Sequence, residues 1–268
     1  MKTMKQLYLT LFIILSIPLA WSQAGISVTP GRLYYKLGLG ESSSQIIKLM
    51  NPNDKELEIG VSFSDWNYEN SGANHILESN SLPNSCVNWI QVLPSSYFVI
   101  QPGETKEIEI LFKVPTDANT AIPVHNAMVF FTQLNPGQAK DESGAAIQVT
   151  VRMGVKIYHS FSQKTEPVIE IADFKNYTDT DNARSVKLQI ANNSSIWADG
   201  KVKWELFNNN TGKKSNLNET DFFTLPNDLR ELNFQLPKDL EKGKYTISAQ
   251  LSFGETDVIK VAELEFEI

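Results

Sequence analysis

Residues Ile147 to Lys156 alternate apolar and polar side chains over ten consecutive positions. Ile147, Val149, Val151, Met153 and Val155 hold the odd positions, and Gln148, Thr150, Arg152, Gly154 and Lys156 the even ones. A period of two is the mark of a half-buried strand. Strands of globular proteins commonly run about five or six residues, so the spacing predicts an unusually long one within Ala146–His159. In most sandwiches such a stripe feeds its own core. At a sheet edge it would instead invite pairing with another strand.

The rest of the chain reads the same way. Strands are expected at Ile26–Thr29, Arg32–Leu37, Ser44–Asn51, Leu57–Trp66, Trp89–Leu93, Tyr97–Ile100, Thr105–Val114 and Asn126–Leu134, all rich in β-branched and aromatic residues. Asn51-Pro52-Asn53-Asp54, Gln101-Pro102-Gly103-Glu104 and Asn135-Pro136-Gly137 are turn formers between them. Leu134–Gly144 is polar and carries glycine and proline, so it reads as a mobile hairpin loop. A boundary is expected near Ser160–Pro167. Beyond it come Val168–Phe174, Ser185–Asn192, Lys201–Phe207, Leu232–Leu236, Lys244–Phe253 and Val258–Glu267, with turns at Asp199-Gly200, Asn209-Asn210-Thr211-Gly212 and Glu241-Lys242-Gly243-Lys244. No amphipathic helix is evident. The fold class expected is all-β: two immunoglobulin-like β-sandwiches with a cleft between them, spanning residues 25–160 and 161–268.

The N-terminus is Met-Lys-Thr-Met-Lys, an apolar run from Leu7 to Ala20, then Ser22-Gln23-Ala24. That order is a secretory signal peptide over residues 1–24, cleaved before Gly25. The apolar run is shorter than the ~20 residues of a membrane-spanning helix. No Cys follows it, which argues against a lipid-anchored lipoprotein. The net charge of −7 argues against nucleic-acid binding. With one cysteine, Cys86, no intramolecular disulfide can form, and a buried apolar role suits it. Asn-X-Ser/Thr sequons, among them those at Asn176, Asn193, Asn209 and Asn218, are incidental in a bacterial chain.

Enzyme chemistry has little to stand on. His75, His125 and His159 are far apart and show no metal-ligand spacing, so single solvated or satisfied histidines are expected. Gly38-Leu39-Gly40 lacks the Lys-Ser/Thr of a phosphate loop. There is no Gly-x-Ser-x-Gly elbow, and the acidic residues are scattered. No catalytic residue, metal or cofactor is nominated.

The order of features in the first half resembles the periplasmic pilus chaperones of the chaperone–usher pathway, the PapD-like family. Ile26-Ser27-Val28-Thr29-Pro30-Gly31-Arg32-Leu33-Tyr34-Tyr35 is similar to their opening strands, with an arginine before an apolar pair. Ser44–Asn51 is similar to the next strand and its Asn turn, and Val61–Trp66 to the strand ending on Trp. Val92–Glu104 resembles their Pro-bearing hairpin closed by Pro-Gly-Glu, and Ile122–Phe131 the strand before the mobile loop. Lys156-Ile157-Tyr158-His159 resembles the family's lysine followed by apolar and aromatic residues. The likeness covers most of Gly25–Ser160 and is weak beyond.

The resemblance implies an ATP-independent periplasmic chaperone that lends an edge strand to an incomplete client sandwich. Ile147, Val149, Val151 and Met153 would be the donor side chains. Arg32 and Lys156 would anchor the client's C-terminal carboxylate through charge-assisted hydrogen bonds. The implied partner is a pilus or surface-fibre subunit, with an outer-membrane usher as an optional second. Self-association through the same strand is a third mode. The pI near 5.1, where many relatives are basic, and Val124-His125-Asn126, where the family has an acidic-Arg-Glu-Ser run, mark a distant branch. Two readings from other classes stay open: an exported adhesion or structural protein of two immunoglobulin-like domains, and a hydrolase with a site built from dispersed carboxylates.

Overall fold

The computed structural model describes residues 25–140, 144, 146–161, 166–178, 183–254 and 258–268, with only the backbone of residues 137–140 and of Ile147. The expected signal peptide, part of the expected boundary (162–165) and part of the expected loop (141–143) lie outside the described residues.

The first sandwich contains β1 (Ser27–Thr29), β2 (Arg32–Lys36), β3 (Ser42–Met50), β4 (Leu57–Tyr68), β5 (Asn74–Leu77), β6 (Ile90–Leu93), β7 (Tyr97–Ile100), β8 (Thr105–Lys113), β9 (Val124–Gln133), β10 (Gly137–Lys140), β11 (Ala146–Val149) and β12 (Arg152–Ser160). One sheet is ordered β1-β3-β8-β6, and the facing one β2-β12-β9-β4, with β5 and β7 both pairing β4. Ile47, Leu49, Ile108, Ile110 and Phe112 from one sheet meet Leu33, Ile59, Ala127, Val129, Phe131 and Ile157 from the other. Burying each large side chain contributes roughly 1.5–3 kcal/mol. Cys86 is fully buried in this core as a free thiol, and burial pushes its pKa well up.

The second sandwich contains β13 (Ile169–Thr178), β14 (Arg184–Asn192), β15 (Ala198–Asn208), β16 (Lys214–Asn216), β17 (Thr220–Thr224), β18 (Leu229–Gln235), β19 (Lys244–Phe253) and β20 (Val258–Glu267). A sheet β13-β14-β18 faces a sheet β16-β15-β19-β20, in which β17 also pairs β15. The alternation read in Lys244–Phe253 is realised: Tyr245, Ile247, Ala249, Leu251 and Phe253 point into the core and the residues between do not. Each sandwich has a fully buried asparagine at the end of a strand. Asn51 Nδ2 donates to the Ile100 carbonyl (3.0 Å), and Asn192 Nδ2 to the Ile196 carbonyl (2.9 Å).

Three expectations need correction. The strand expected over Ala146–His159 is broken at Thr150 and Val151 into β11 and β12. The partner runs out there: β12 pairs β9 from Arg152 opposite Thr132, and β9 ends at Gln133, before Pro136. Asn135 turns the chain toward β4 by hydrogen bonding Glu56 and Glu58 backbone. β11 folds back on β10, a strand that its polar sequence concealed. Asp199-Gly200 is no turn. It lies inside β15, where the Ser252 carbonyl and the Phe222 ring occupy the space of a Gly200 side chain.

The third correction concerns the histidines. His125 and His159 are cross-strand partners on β9 and β12, both buried, with ring centroids 5.8 Å apart. His159 Nε2 donates to the Leu37 carbonyl at 2.9 Å, and both Nδ1 atoms lack partners. Burial, then the neighbouring His159, lowers the His125 pKa to about 4, and burial lowers that of His159. Their unfolded value is about 6.5. For His125 only the unfolded chain takes the proton between those limits, and His159 acts in the same direction, so stability falls as pH drops below about 6.5. The slope is at most about 1.4 kcal/mol per pH unit for each imidazole. Urea midpoints at pH 7 and pH 5 should differ more for the wild type than for His125→Phe; equal differences would rule this pair out as the source.

Candidate functional site

β12 lies beside β9 along its whole length but beside β2 only from Lys156 to Ser160. The Lys156 amide donates to the Gly31 carbonyl at 3.1 Å, whereas the Val151 carbonyl accepts from Gln133 on the β9 side. Backbone direction alternates along a strand. The main-chain groups of Arg152 and Gly154 therefore face the β2 side, where no described strand pairs with them. That is an open edge, four residues long, running into Lys156.

The expected donor residues divide along this edge. Val149 is 43% exposed on β11 and Met153 37% exposed on β12. Val151 is half-buried between them, packed on the first core and close to Gly25. Ile147 pairs opposite Ala139 on β11, and its side chain lies outside the description. The four do not share one strand, but at least Val149 and Met153 present apolar surface to solvent.

At the end of the edge, Lys156 and Arg32 are register partners on β12 and β2. Side chains two apart share a face, so Tyr34 joins Arg32 and Tyr158 joins Lys156. Tyr34 and Tyr158 stack at 5.0 Å, and both approach Trp197 of the second sandwich, at 5.4 and 5.5 Å. Arg32 lies over the Phe223 ring, 3.8 Å from its centroid. Lys156 Nζ donates to the Tyr68 hydroxyl at 2.9 Å and lies 4.4 Å from the centre of the Trp66 ring. Met128, Phe130, Trp66 and Tyr158 of the first sandwich pack with Ile196 and Leu225 of the second. β9 is thus covered on both faces, and Val124–Phe131 is buried throughout.

Trp66 is held firmly. Its Nε1 donates to the Ala127 carbonyl (2.9 Å) and its carbonyl accepts from Asn126 Nδ2 (2.6 Å). Beside it, buried Asp65 accepts from the Leu82 amide (2.8 Å) and the Ser85 hydroxyl (2.6 Å), which ties the loop before Cys86 to the strand.

The site is cationic. Among the described residues, neither Arg32 nor Lys156 forms an ion pair with a carboxylate, and Arg32 Nε is buried without a partner. Burial, then Arg32 and Arg230, lowers the Lys156 pKa to about 8. Burial opposes the Arg32 charge, but the Tyr158, Tyr34 and Tyr68 hydroxyls favour it, and its pKa is raised. Two cations whose described partners are neutral hydroxyls and ring faces, set in a partly desolvated junction, have room for an anion. Among the described residues no three His, Cys, Asp or Glu side chains are grouped to hold a metal ion.

The sequence reading missed the aromatic walls and Arg230. Tyr34 and Tyr158 were within reach, being two positions from Arg32 and Lys156. Trp197, Phe223 and Arg230 come from a distant part of the chain and carry no local signal.

No family model matches the chain, and no curated protein matches it in sequence. Solved structures do. One is the class 5 fimbriae chaperone CfaA, 13% identical, covering 91% of this chain and 98% of that one at a TM-score of 0.42. A second is the CsuC–CsuE chaperone–tip adhesion subunit pre-assembly complex from archaic chaperone-usher Csu pili of Acinetobacter baumannii, 13% identical, with coverages of 90% and 98% and a TM-score of 0.45. A third is the Salmonella enterica SafA pilin in complex with the SafB chaperone, 11% identical, with coverages of 93% and 99% and a TM-score of 0.42. Solved structures to which this all-β, two-sandwich chain is similar along nearly its whole length thus include chaperone–usher pilus chaperones.

Proposed function

We infer that this chain is a periplasmic assembly chaperone that acts without cofactor or covalent chemistry. Residues 25–160 receive one strand of a pilus or surface-fibre subunit along the open edge of β12, and residues 161–268 close the far side of the junction. The observation that carries this reading is the continuity of the edge with the cation pair. Main-chain groups of Arg152 and Gly154 that pair with no described strand on that side, flanked by exposed Val149 and Met153, lead directly to Lys156 and Arg32. An added strand would gain main-chain hydrogen bonds, place its apolar side chains against that surface, and end with its carboxylate on the cations. The pilus or fibre class of client follows from the order of sequence motifs.

A tagged protein captured from its native periplasm, beside an Arg32→Ala/Lys156→Ala variant, tests this. Small β-rich exported subunits held by the wild type and lost by the variant are the expected result. Identical partners on both proteins would end the anchoring role. The rival reading, an adhesion or structural module, draws on Ile259 and Val261, 65% and 55% exposed on edge strand β20. It predicts capture through that strand and indifference to Arg32 and Lys156.

A further inference from the structure

Arg230 is the second residue of β18, in the second sandwich, yet its side chain reaches the first, where it bonds Asn70, two residues beyond the Tyr68 that holds Lys156. In keeping with that placement, Arg230 is the least of three causes that lower the Lys156 pKa, after burial and Arg32. Its seat is built by the first sandwich. Arg230 Nη1 and the Glu231 amide both donate to the Asn70 carbonyl, at 3.3 and 2.7 Å. Gly72, at φ +84°, has its bare α-carbon against the guanidinium, and a Cβ there would fall on the Arg230 Cζ and Nη atoms. The positive φ favours glycine there, and any Cβ would displace the guanidinium.

The seat leaves the charge unanswered. Arg230 Nε is buried with no partner, and among the described residues Arg230 forms no ion pair. Asp228 is the acidic group nearest in effect. Burial raises its pKa to about 6, and its Oδ2 accepts from the Leu225 amide at 2.6 Å instead. Asp199, the register partner of Phe223, acts on Tyr34 and forms no ion pair among the described residues. A guanidinium has five N–H donors, and Arg230 has one in a described hydrogen bond.

The geometry points to Arg230 as a third ligand of the client carboxylate, delivered by the second sandwich. This rests on the carboxylate-anchor reading above and extends it. The anchor is then complete only while the Asn70–Gly72 hairpin tip holds β18 in place. Client affinity would depend on the angle between the sandwiches as well as on the edge strand.

The probe is a synthetic peptide of alternating valine and serine with two N-terminal lysines, made once with a free C-terminal carboxylate and once as the amide. The ratio of the two affinities isolates the anchor from the edge. With three charge-assisted donors, the wild type should favour the acid by roughly 100-fold. Arg230→Gln should lower that ratio by roughly tenfold. Arg230→Lys, which keeps the charge, should recover part of it. Gly72→Ala, which keeps the arginine but evicts it, should match Arg230→Gln. Circular dichroism melts establish that each variant is folded. A wild-type ratio in both folded Arg230→Gln and Gly72→Ala, with the ratio lost in Arg32→Ala, would overturn the role of Arg230 and leave the two-cation anchor standing. Equal affinity of the wild type for acid and amide would overturn both.

Discussion

Replacing Lys156 by methionine should make the protein more stable and a poorer binder. The ammonium sits 9% exposed beside two arginines and no paired carboxylate, and burial with those like charges lowers its pKa to about 8. Its unfolded value is about 10.4. Below about pH 8 the ammonium is charged in both states, and the fold carries the full penalty. Between about pH 8 and 10.4 the folded chain releases the proton first, and the penalty fades. Methionine keeps the volume and removes the charge. Exchanging buried charges for apolar groups of similar size has stabilised other proteins by about 1–4 kcal/mol, and the lower end is expected for this single cation. Client affinity should move the other way. Removing one partner of a desolvated charge pair costs about 2–5 kcal/mol, or at least roughly 30-fold in Kd. The same titration makes wild-type client binding weaken as pH rises through about 8, and Lys156→Met should lose that dependence. Denaturant midpoints and binding titrations at pH 7 and pH 9 check both halves. A destabilised Lys156→Met that still binds its client would remove Lys156 from the site.

The second large effect concerns the edge itself. Val149→Asp with Met153→Asp places two carboxylates on exposed positions, 43% and 37% accessible. Changes at exposed sites usually alter stability within about 0.5 kcal/mol, so the free protein should melt near the wild-type temperature. The client complex should be lost. Two side chains that would each bury with roughly 1.5–3 kcal/mol of gain become charges facing an apolar groove. Self-association through the edge, if the free protein shows it by light scattering, should vanish in the same variant. Val151 is the wrong residue for this test. It packs on the first core, so Val151→Asp would confound folding with binding. A folded double variant with unchanged client affinity would show that β12 and the segment before it are not the pairing surface.

Much of this was legible in the sequence because strands declare themselves by periodicity and turns by Pro, Gly and Asn. Arg32–Lys36, Lys244–Phe253 and Val258–Glu267 fall within a residue of expectation. β5, β10, β16 and β17 carry no clear sequence signal, since strands of three to five residues take their conformation from a neighbour rather than from their own pattern. The break at Thr150 escaped notice for a related reason. Alternation persists through it, and the cause lies in β9, whose ladder ends at Gln133. Gly200 looked like a turn glycine because Asp-Gly is a turn dipeptide, yet the residue is there to admit the Ser252 carbonyl. Arg32 and Lys156 were paired through the family resemblance, and the register of β2 and β12 places them side by side. The convergence of His125 with His159, and of Arg230 with Lys156, depends on tertiary placement, which no local spacing encodes.

The most direct measurement is amide hydrogen exchange, resolved to single residues, on the protein alone and bound to its captured client. The Arg152 and Gly154 amides face the open edge, and both should exchange quickly in the free protein. Client binding should slow them strongly, with Lys156, already bonded to Gly31, changing little. Unchanged exchange at Arg152 and Gly154, with protection appearing along β20 instead, would contradict strand addition at β12.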